Sequence, residues 1–128
     1  MKLLLDTHAF LWWIADDERL SSKAAALIAD GTNEVFFSAA SARELVVKAG
    51  LGRVKLPDPI ERSVPGQLAR NGFQALPIQL RHVLTICSLP SLRRDPFDRM
   101  LVAQTVAEGM MLVSGDRAMN GYPVHVEW

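Results

Sequence analysis

The chain has 128 residues, 49% of them apolar, which excludes a disordered or fibrous protein and favours a single domain over residues 1–128. Its 14 lysines and arginines balance its 14 aspartates and glutamates, so any polyanion binding requires a local basic patch. The single cysteine, Cys87, excludes an internal disulfide, and the longest apolar run, at residues 9–15, is too short to cross a membrane. These features predict a soluble, cytoplasmic protein.

Short apolar runs alternate along the chain with stretches of helical periodicity. In chain order, the pattern predicts a strand at residues 3–5, helices at 7–16 and 22–30, a strand at 35–37, and helices at 41–49 and 58–71. A weaker strand at 75–78, helices at 79–88 and 97–108, and strands at 111–113 and 124–126 follow. Pro65 is expected to divide the helix at 58–71 into two short pieces. The alternation predicts an α/β fold with three α/β/α layers, a central, mainly parallel sheet, and residues 3–5 in the middle of that sheet.

Two acidic residues directly follow predicted strands. Asp6 comes after the strand at residues 3–5, and Asp116 follows the strand at 111–113 through Ser114 and Gly115. The carboxyl ends of parallel strands meet at one edge of a sheet, which is where open α/β sheets bind ligands. Each aspartate also fits the simpler role of a helix or turn N-cap. The sequence therefore predicts two acids at the same edge, with a capping role and a chemical role both open.

Further acids lie near the starts of two predicted helices. Glu44 lies one turn into the helix at 41–49, where Ser41 and Glu44 also match a capping box. Asp95 is a good N-cap for the helix at 97–108, and Asp98 falls in its first turn, where negative charge suits the helix dipole. Carboxylates gathered at one edge would repel one another unless a cation held them together.

The residues around these acids indicate which chemistry they would support. Clustered carboxylates without thiolates favour Mg²⁺ or Mn²⁺ over zinc, and such an ion could activate water for displacement at a phosphoryl group. Thr7 and Ser114 are expected to hydrogen-bond the neighbouring carboxylates and orient them. Three arginines are candidates for phosphate binding, although each also fits a plain surface role: Arg94, Arg99 and Arg117.

Phe10, Leu11, Trp12 and Trp13 form an apolar cluster near the start of the chain. Tryptophan can stack on nucleic-acid bases. Packing in the core or at a dimer interface nevertheless fits this cluster better, and the cluster therefore predicts a homodimer.

Four stretches of the chain resemble the PIN-domain ribonucleases, and within them the VapC-type toxins of bacterial toxin–antitoxin pairs. They are Leu-Leu-Leu-Asp-Thr-His-Ala at residues 3–9, Ser-Ala-Ala-Ser-Ala-Arg-Glu-Leu-Val-Val-Lys at 38–48, Arg-Asp-Pro-Phe-Asp-Arg-Met-Leu-Val-Ala-Gln at 94–104, and Leu-Val-Ser-Gly-Asp at 112–116. The resemblance covers essentially the whole chain. It implies that the catalytic and metal-binding acids are Asp6, Glu44, Asp98 and Asp116, and it leaves Asp95 as a helix cap.

The resemblance implies a Mg²⁺-dependent endoribonuclease that acts as the toxin of a toxin–antitoxin pair. Its partners would be an RNA substrate, a second copy of the chain, and a VapB-type antitoxin whose tail covers the acidic pocket. A Mg²⁺-dependent phosphatase or receiver-type phosphotransfer domain is an alternative, but it requires a second acid near Asp6, where His8 stands instead. A non-catalytic RNA- or protein-interaction module is the other alternative, and the presence of all four acids argues against it.

Overall fold

The computed structural model describes residues 1–91 and 95–128. Five parallel strands form one sheet in the order β3-β2-β1-β4-β5. The strands are β1 (Lys2–Leu5), β2 (Glu34–Ser38), β3 (Gln74–Leu76), β4 (Met111–Val113) and β5 (Val126–Glu127). Leu5 is in register with Phe37 on one side and Val113 on the other, so the polar residues after β1, β2 and β4 reach the same edge. The predicted parallel sheet with residues 3–5 in its middle is confirmed.

In the part of the chain that the structure describes, six helices flank the sheet: α1 (Thr7–Ile14), α2 (Ser22–Ala29), α3 (Ala39–Gly50), α4 (Ile60–Asn71), α5 (Leu80–Thr85) and α6 (Pro96–Glu108). Short 3₁₀ turns follow α5 at Ile86–Ser88 and β4 at Arg117–Gly121. Helix α6 ends at Gly109, whose φ of 64° lies in the left-handed region that glycine favours. None of the helices in the described ranges is long and apolar enough to cross a bilayer.

Two of the helix predictions are wrong in detail. Helix α4 continues through Pro65, because Ile60, Val64 and Leu68 pack against the core at helical spacing and keep the helix on the sheet. Helix α3 is capped by the Ser38 hydroxyl and not by Ser41, since β2 runs directly into the helix without a loop. The predicted capping box therefore does not form.

The core lies on both faces of β1, where Leu3, Leu4 and Leu5 are fully buried. Successive side chains of a strand point to opposite faces. Leu3 and Leu5 accordingly pack with Phe10 of α1 on one face, and Leu4 packs with Leu101 of α6 on the other. This burial fixes the start of α1 and the middle of α6 against the same strand.

A buried polar network joins the end of β2 to α5 and α6. The Ser38 hydroxyl donates to the Gln104 side-chain oxygen over 2.5 Å, and the Gln104 amide contacts His82 Nδ1 at 3.3 Å. His82 Nδ1 also accepts the Gln79 backbone N–H, and its Nε2 lies 3.0 Å from Glu108. Burial lowers the pKa of His82, as does the charge of Arg81, and both effects favour the neutral ring. Because Nδ1 accepts the Gln79 N–H, the proton of the neutral ring is on Nε2, which faces Glu108.

Replacing Gln104 with leucine is expected to destabilise the protein by about 1–3 kcal/mol, because the buried Ser38 hydroxyl and His82 lose a partner without access to water. Urea denaturation followed by circular dichroism measures the change. Gln74 is exposed on β3, and Gln74→Leu is the matched control, expected to change stability by less than about 0.5 kcal/mol. Equal stability of the two variants would contradict a structural role for the network.

Candidate active site

An acidic pocket of about 210 Å³ lies at the carboxyl edge of the central strands. Asp6 and Asp116 enter it from the ends of β1 and β4, Glu44 enters from α3, and Asp98 from the first turn of α6. The described residues that line it are Asp6, Thr7, His8, Glu44, Lys48, Asp95, Asp98, Leu101 and Asp116. The structure therefore brings the four predicted acids to one pocket. Their catalytic and metal-binding roles remain predictions.

Asp6 is the most buried of these acids, with 7% of its surface exposed. It caps α1, where its carboxylate accepts the Ala9 backbone N–H over 2.7 Å. Burial raises the pKa of the Asp6 carboxyl, and the charge of Asp116 raises it further, although hydrogen bonds from Ser114 and Ala9 and the nearby His8 oppose the shift. A cation in the pocket would favour the ionised form and so offset both unfavourable effects.

Ser114 connects the two strand-end aspartates. Its hydroxyl hydrogen-bonds the Asp6 carboxylate, and it accepts the Asp116 backbone N–H over 3.1 Å. Asp116 in turn caps the following 3₁₀ turn by accepting the Ala118 N–H over 3.0 Å. Each aspartate therefore accepts its capping hydrogen bond with one carboxylate oxygen, Oδ1. Both aspartates also line the pocket, so a capping role does not exclude a role in the pocket.

Glu44 is held by a hydroxyl and an ammonium group. The Thr7 hydroxyl donates to Glu44 Oε1 over 2.5 Å, and Lys48 Nζ lies 2.9 Å from Glu44 Oε2. Lys48 brings a positive charge into the pocket lining, and it is not among the site residues predicted from the sequence. The signal that could have found it is the i,i+4 spacing of Glu44 and Lys48, which places both on one helix face.

Asp95 and Asp98 lie one turn apart at the start of α6. Asp95 is the N-cap and accepts the backbone N–H groups of Phe97 and Asp98 over 2.9 and 3.3 Å. Asp95 also lines the pocket, as does His8, and neither is among the site residues predicted from the sequence.

Two of the three predicted phosphate-binding arginines, Arg99 and Arg117, are not among the described residues that line the pocket. Arg99 donates to the backbone carbonyls of Pro90 and Ile86 over 2.9 and 3.4 Å, which ties α6 to the end of the preceding 3₁₀ turn. Arg117 is exposed and lines a neighbouring depression that also contains Asp116. Arg94 lies outside the described residues.

The lining chemistry fits a hard divalent cation, because carboxylate oxygens predominate in it. Within the described ranges, no three His, Cys, Asp or Glu side chains are already placed to hold one ion together. Mg²⁺ keeps several of its waters and binds through one or two carboxylates, so it does not require a preformed cage of three. Asp6 and Asp116 are joined through Ser114, and the charge of Asp116 acts on the Asp6 carboxyl, so the two side chains are neighbours in the pocket.

The fold and pocket define an α/β/α protein with carboxylates gathered at the carboxyl ends of its central parallel strands. The PIN domain family matches residues 3–124, and the chain belongs to this family. The chain is also 33% identical over 121 residues to Ribonuclease VapC22 of Mycobacterium tuberculosis, covering 94% of this chain and 91% of that protein.

Solved structures with a similar fold include two named VapBC. VapBC2 from Rickettsia felis, bound to a DNA fragment from its promoter, matches with a TM-score of 0.74 and 16% identity, covering 100% of this chain and 99% of that chain. VapBC-1 from nontypeable Haemophilus influenzae matches with a TM-score of 0.64 and 13% identity, covering 99% and 97%. At these identities the likeness concerns the fold.

Proposed function

We propose that this PIN domain, residues 1–128, is a divalent-metal-dependent endoribonuclease that acts as the toxin of a toxin–antitoxin pair. The observation that carries the proposal is the pocket that gathers Asp6, Glu44, Asp98 and Asp116 in a chain 33% identical to a ribonuclease. The proposed activity places the protein in the cytoplasm, together with its RNA substrate. The free, exposed Cys87 is compatible with a reducing compartment.

The proposed cofactor is Mg²⁺, with Mn²⁺ able to substitute. When bound, such an ion supplies an activated water and offsets the charge on the departing oxygen of the phosphodiester. Asp6 and Asp116 would hold it, and the Ser114 hydroxyl would keep the Asp6 carboxylate oriented. Thr7 would restrain Glu44 in the same way, since its hydroxyl already contacts that carboxylate.

Sequencing of RNA ends after brief expression in bacteria tests the proposed activity. The wild-type chain is expected to produce new cleaved ends at defined positions, and Asp116→Asn is expected to produce none. Asparagine can still accept the Ala118 N–H, so this control preserves the turn while removing one charge from the pocket. Identical sets of RNA ends from the two proteins would refute an endoribonuclease that acts through these acids.

The proposed antitoxin is a VapB-type protein whose tail covers the acidic pocket. The negative charge of the pocket complements a basic side chain on such a tail, which would occupy the position of the cation. Adding the antitoxin at equal concentration is expected to stop cleavage of RNA by the purified chain. Undiminished cleavage by a stable complex of the two would contradict this arrangement.

We also propose a homodimer, but the apolar cluster that suggested it from the sequence cannot form the interface as a whole. Phe10 is fully buried in the core. The structure instead exposes an apolar α5 face, formed by Leu80, Val83 and Leu84 at helical spacing, with exposed fractions of 73%, 42% and 58%. This face is proposed to contact a second copy of the chain.

Leu84→Lys is expected to weaken the dimer at least about tenfold, because it would bury an unpaired charge in the interface. Size-exclusion chromatography with light scattering at micromolar concentration gives the mass. Leu51, which is 62% exposed after α3, provides the matched control Leu51→Lys. A monomeric wild-type protein, or a Leu84→Lys dimer as tight as wild type, would be inconsistent with the proposed interface.

A further inference from the structure

A basic groove of about 430 Å³ adjoins the acidic pocket. We define it by His8, Leu11, Trp12, Arg19, Arg53 and Lys55. His8 lines both the groove and the acidic pocket, so the two lie side by side at this residue. A polymer bound with one phosphodiester in the pocket would therefore have its neighbouring unit in the groove.

Two aromatic rings form a stack at the junction of pocket and groove. The His8 imidazole lies on the Trp12 indole with ring centroids 5.4 Å apart and planes inclined by 24°. The Arg19 guanidinium lies 5.1 Å from the Trp12 ring centroid, and Trp128 packs at an angle with a centroid distance of 5.7 Å. Trp12 is thus fixed by its neighbours, while His8, the outer member of the stack, is exposed.

The adjacent Trp13 has a different role, although the sequence gives no reason to separate the two tryptophans. Its indole N–H donates to the Asn71 side chain over 3.0 Å, and its ring packs against Phe73 on the core side. Trp13 stabilises the attachment of α4 to α1, and it does not line the basic groove. Trp12 is therefore the tryptophan placed for ligand contact.

The charge of the groove is positive. Arg19 is paired with Asp17, and these hydrogen bonds hold the pKa of Asp17 at about 2. Arg53 and Lys55 lie in the loop between α3 and α4, and neither forms an ion pair with a residue in the described ranges. The groove thus combines an aromatic stack with cations, which is the combination that binds single-stranded nucleic acid.

We propose that the His8–Trp12 stack binds a nucleobase of single-stranded RNA next to the cleaved phosphodiester, with Arg53 and Lys55 contacting the sugar–phosphate backbone. This subsite rests on the proposed ribonuclease function, because the acidic pocket defines where the cleaved bond lies. Every base has a π-face, so the stack holds a nucleotide without selecting strongly among bases. Double-stranded RNA is excluded from the subsite, because its bases are already stacked and paired.

Binding is tested separately from cleavage, with fluorescence anisotropy of short single-stranded oligoribonucleotides in Ca²⁺, after gel analysis shows that the RNA is intact. Each oligonucleotide is compared with an abasic oligonucleotide of equal length, which keeps the sugar–phosphate backbone but lacks the bases. The wild-type chain is expected to bind the base-bearing RNA about 5- to 100-fold more tightly, the range that stacking of one base provides. His8→Ala is expected to remove most of that difference while leaving abasic binding unchanged.

Trp13→Phe is the matched aromatic control and is expected to retain the preference for base-bearing RNA. Arg53→Gln and Lys55→Gln are expected to weaken both kinds of oligonucleotide equally and to reduce the salt dependence of binding. Because His8 is exposed, His8→Ala is expected to fold normally, and thermal unfolding verifies this. Tryptophan fluorescence provides an independent test of the stack. RNA is expected to quench this fluorescence in the wild type and in Trp13→Phe, but not in Trp12→Phe.

Equal affinity of the wild type for base-bearing and abasic RNA would overturn the proposal, as would an unchanged preference in His8→Ala. Tight binding of an acidic peptide, with RNA binding unaffected by changes at His8 and Trp12, would assign the groove to a protein partner instead. Neither result would refute the ribonuclease proposal, which depends on the cleavage assay. Conversely, loss of cleavage in Asp116→Asn with the stacking preference retained would support both.

Discussion

Replacing Asp6 with asparagine is expected to abolish RNA cleavage and, at the same time, to stabilise the metal-free protein. Cleavage should fall by about 100-fold or more, because a metal ligand contributes several kcal/mol to the transition state. Asparagine still accepts the Ala9 N–H that caps α1, but it removes a buried charge whose ionisation is opposed by burial and by Asp116. Urea denaturation in EDTA and an RNA cleavage assay measure the two effects.

The pH dependence of stability distinguishes this explanation from a simple packing effect. The pKa of Asp6 is higher in the folded protein than in the unfolded chain. At pH values between these two pKa values, the folded protein therefore binds more protons than the unfolded chain. The free energy of unfolding should fall as pH rises through that window, and Asp6→Asn should flatten that part of the curve. Asp6→Ala, which also loses the cap, should be less stable than Asp6→Asn by about 1 kcal/mol. Loss of both activity and stability in Asp6→Asn would instead indicate a structural carboxylate.

Removing divalent metal is the second change with a large expected effect. Cleavage should cease in EDTA and return with Mg²⁺ or Mn²⁺, whereas Ca²⁺, which is larger and less strict in geometry, should restore it poorly. The products should carry a 5′-phosphate and a 3′-hydroxyl, because the pocket provides carboxylates for metal and water and no pair of histidines for chemistry through the ribose 2′-hydroxyl. End-group analysis of a cleaved RNA identifies the products.

A substrate with a 2′-deoxy sugar at the cleaved position provides the control for this mechanism. It should still be cut, although more weakly if the hydroxyl contributes to recognition. Products ending in a 2′,3′-cyclic phosphate, formed equally well in EDTA, would contradict metal-dependent hydrolysis and leave the acidic pocket without a catalytic explanation.

The inner strands β1, β2 and β4 were predictable because they are short, largely buried apolar runs, a pattern that does not depend on distant residues. The outer strands β3 and β5 lie at residues 74–76 and 126–127 and not at the predicted 75–78 and 124–126, because their exposed or half-buried residues give a weaker pattern. The start of α3 could not be predicted from the sequence. Ser38 and Ser41 are chemically equivalent caps, and only the extension of β2 to Ser38 decides between them. As a result Glu44 lies in the second turn of α3, where it faces the pocket and does not close a capping box.

The acids of the candidate site were predictable from their positions after strands and at helix starts, since parallel strands bring their carboxyl ends to one edge. The positions of the basic side chains around the site were less predictable from the sequence. An arginine side chain is long and finds whichever acceptor lies within reach, so Arg99, although adjacent to Asp98, donates to backbone carbonyls of a different segment. Lys48 lines the pocket because it lies on the same face of α3 as Glu44. Which face of α3 is directed to the pocket depends on how the helix packs.

The position of β1 in the middle of the sheet also determines when the acidic pocket can form during synthesis. Strand β1 can pair with β2 soon after both are synthesised, but its other neighbour, β4, follows much later in the chain, after α6. Pairings of such long range form late, because a large loop must close first. A nascent or truncated chain without α6 and β4 has Asp6 and Glu44 but not Asp98 or Asp116. If the proposed toxin activity is correct, this topology withholds the complete pocket until α6 and β4 have been synthesised and have packed.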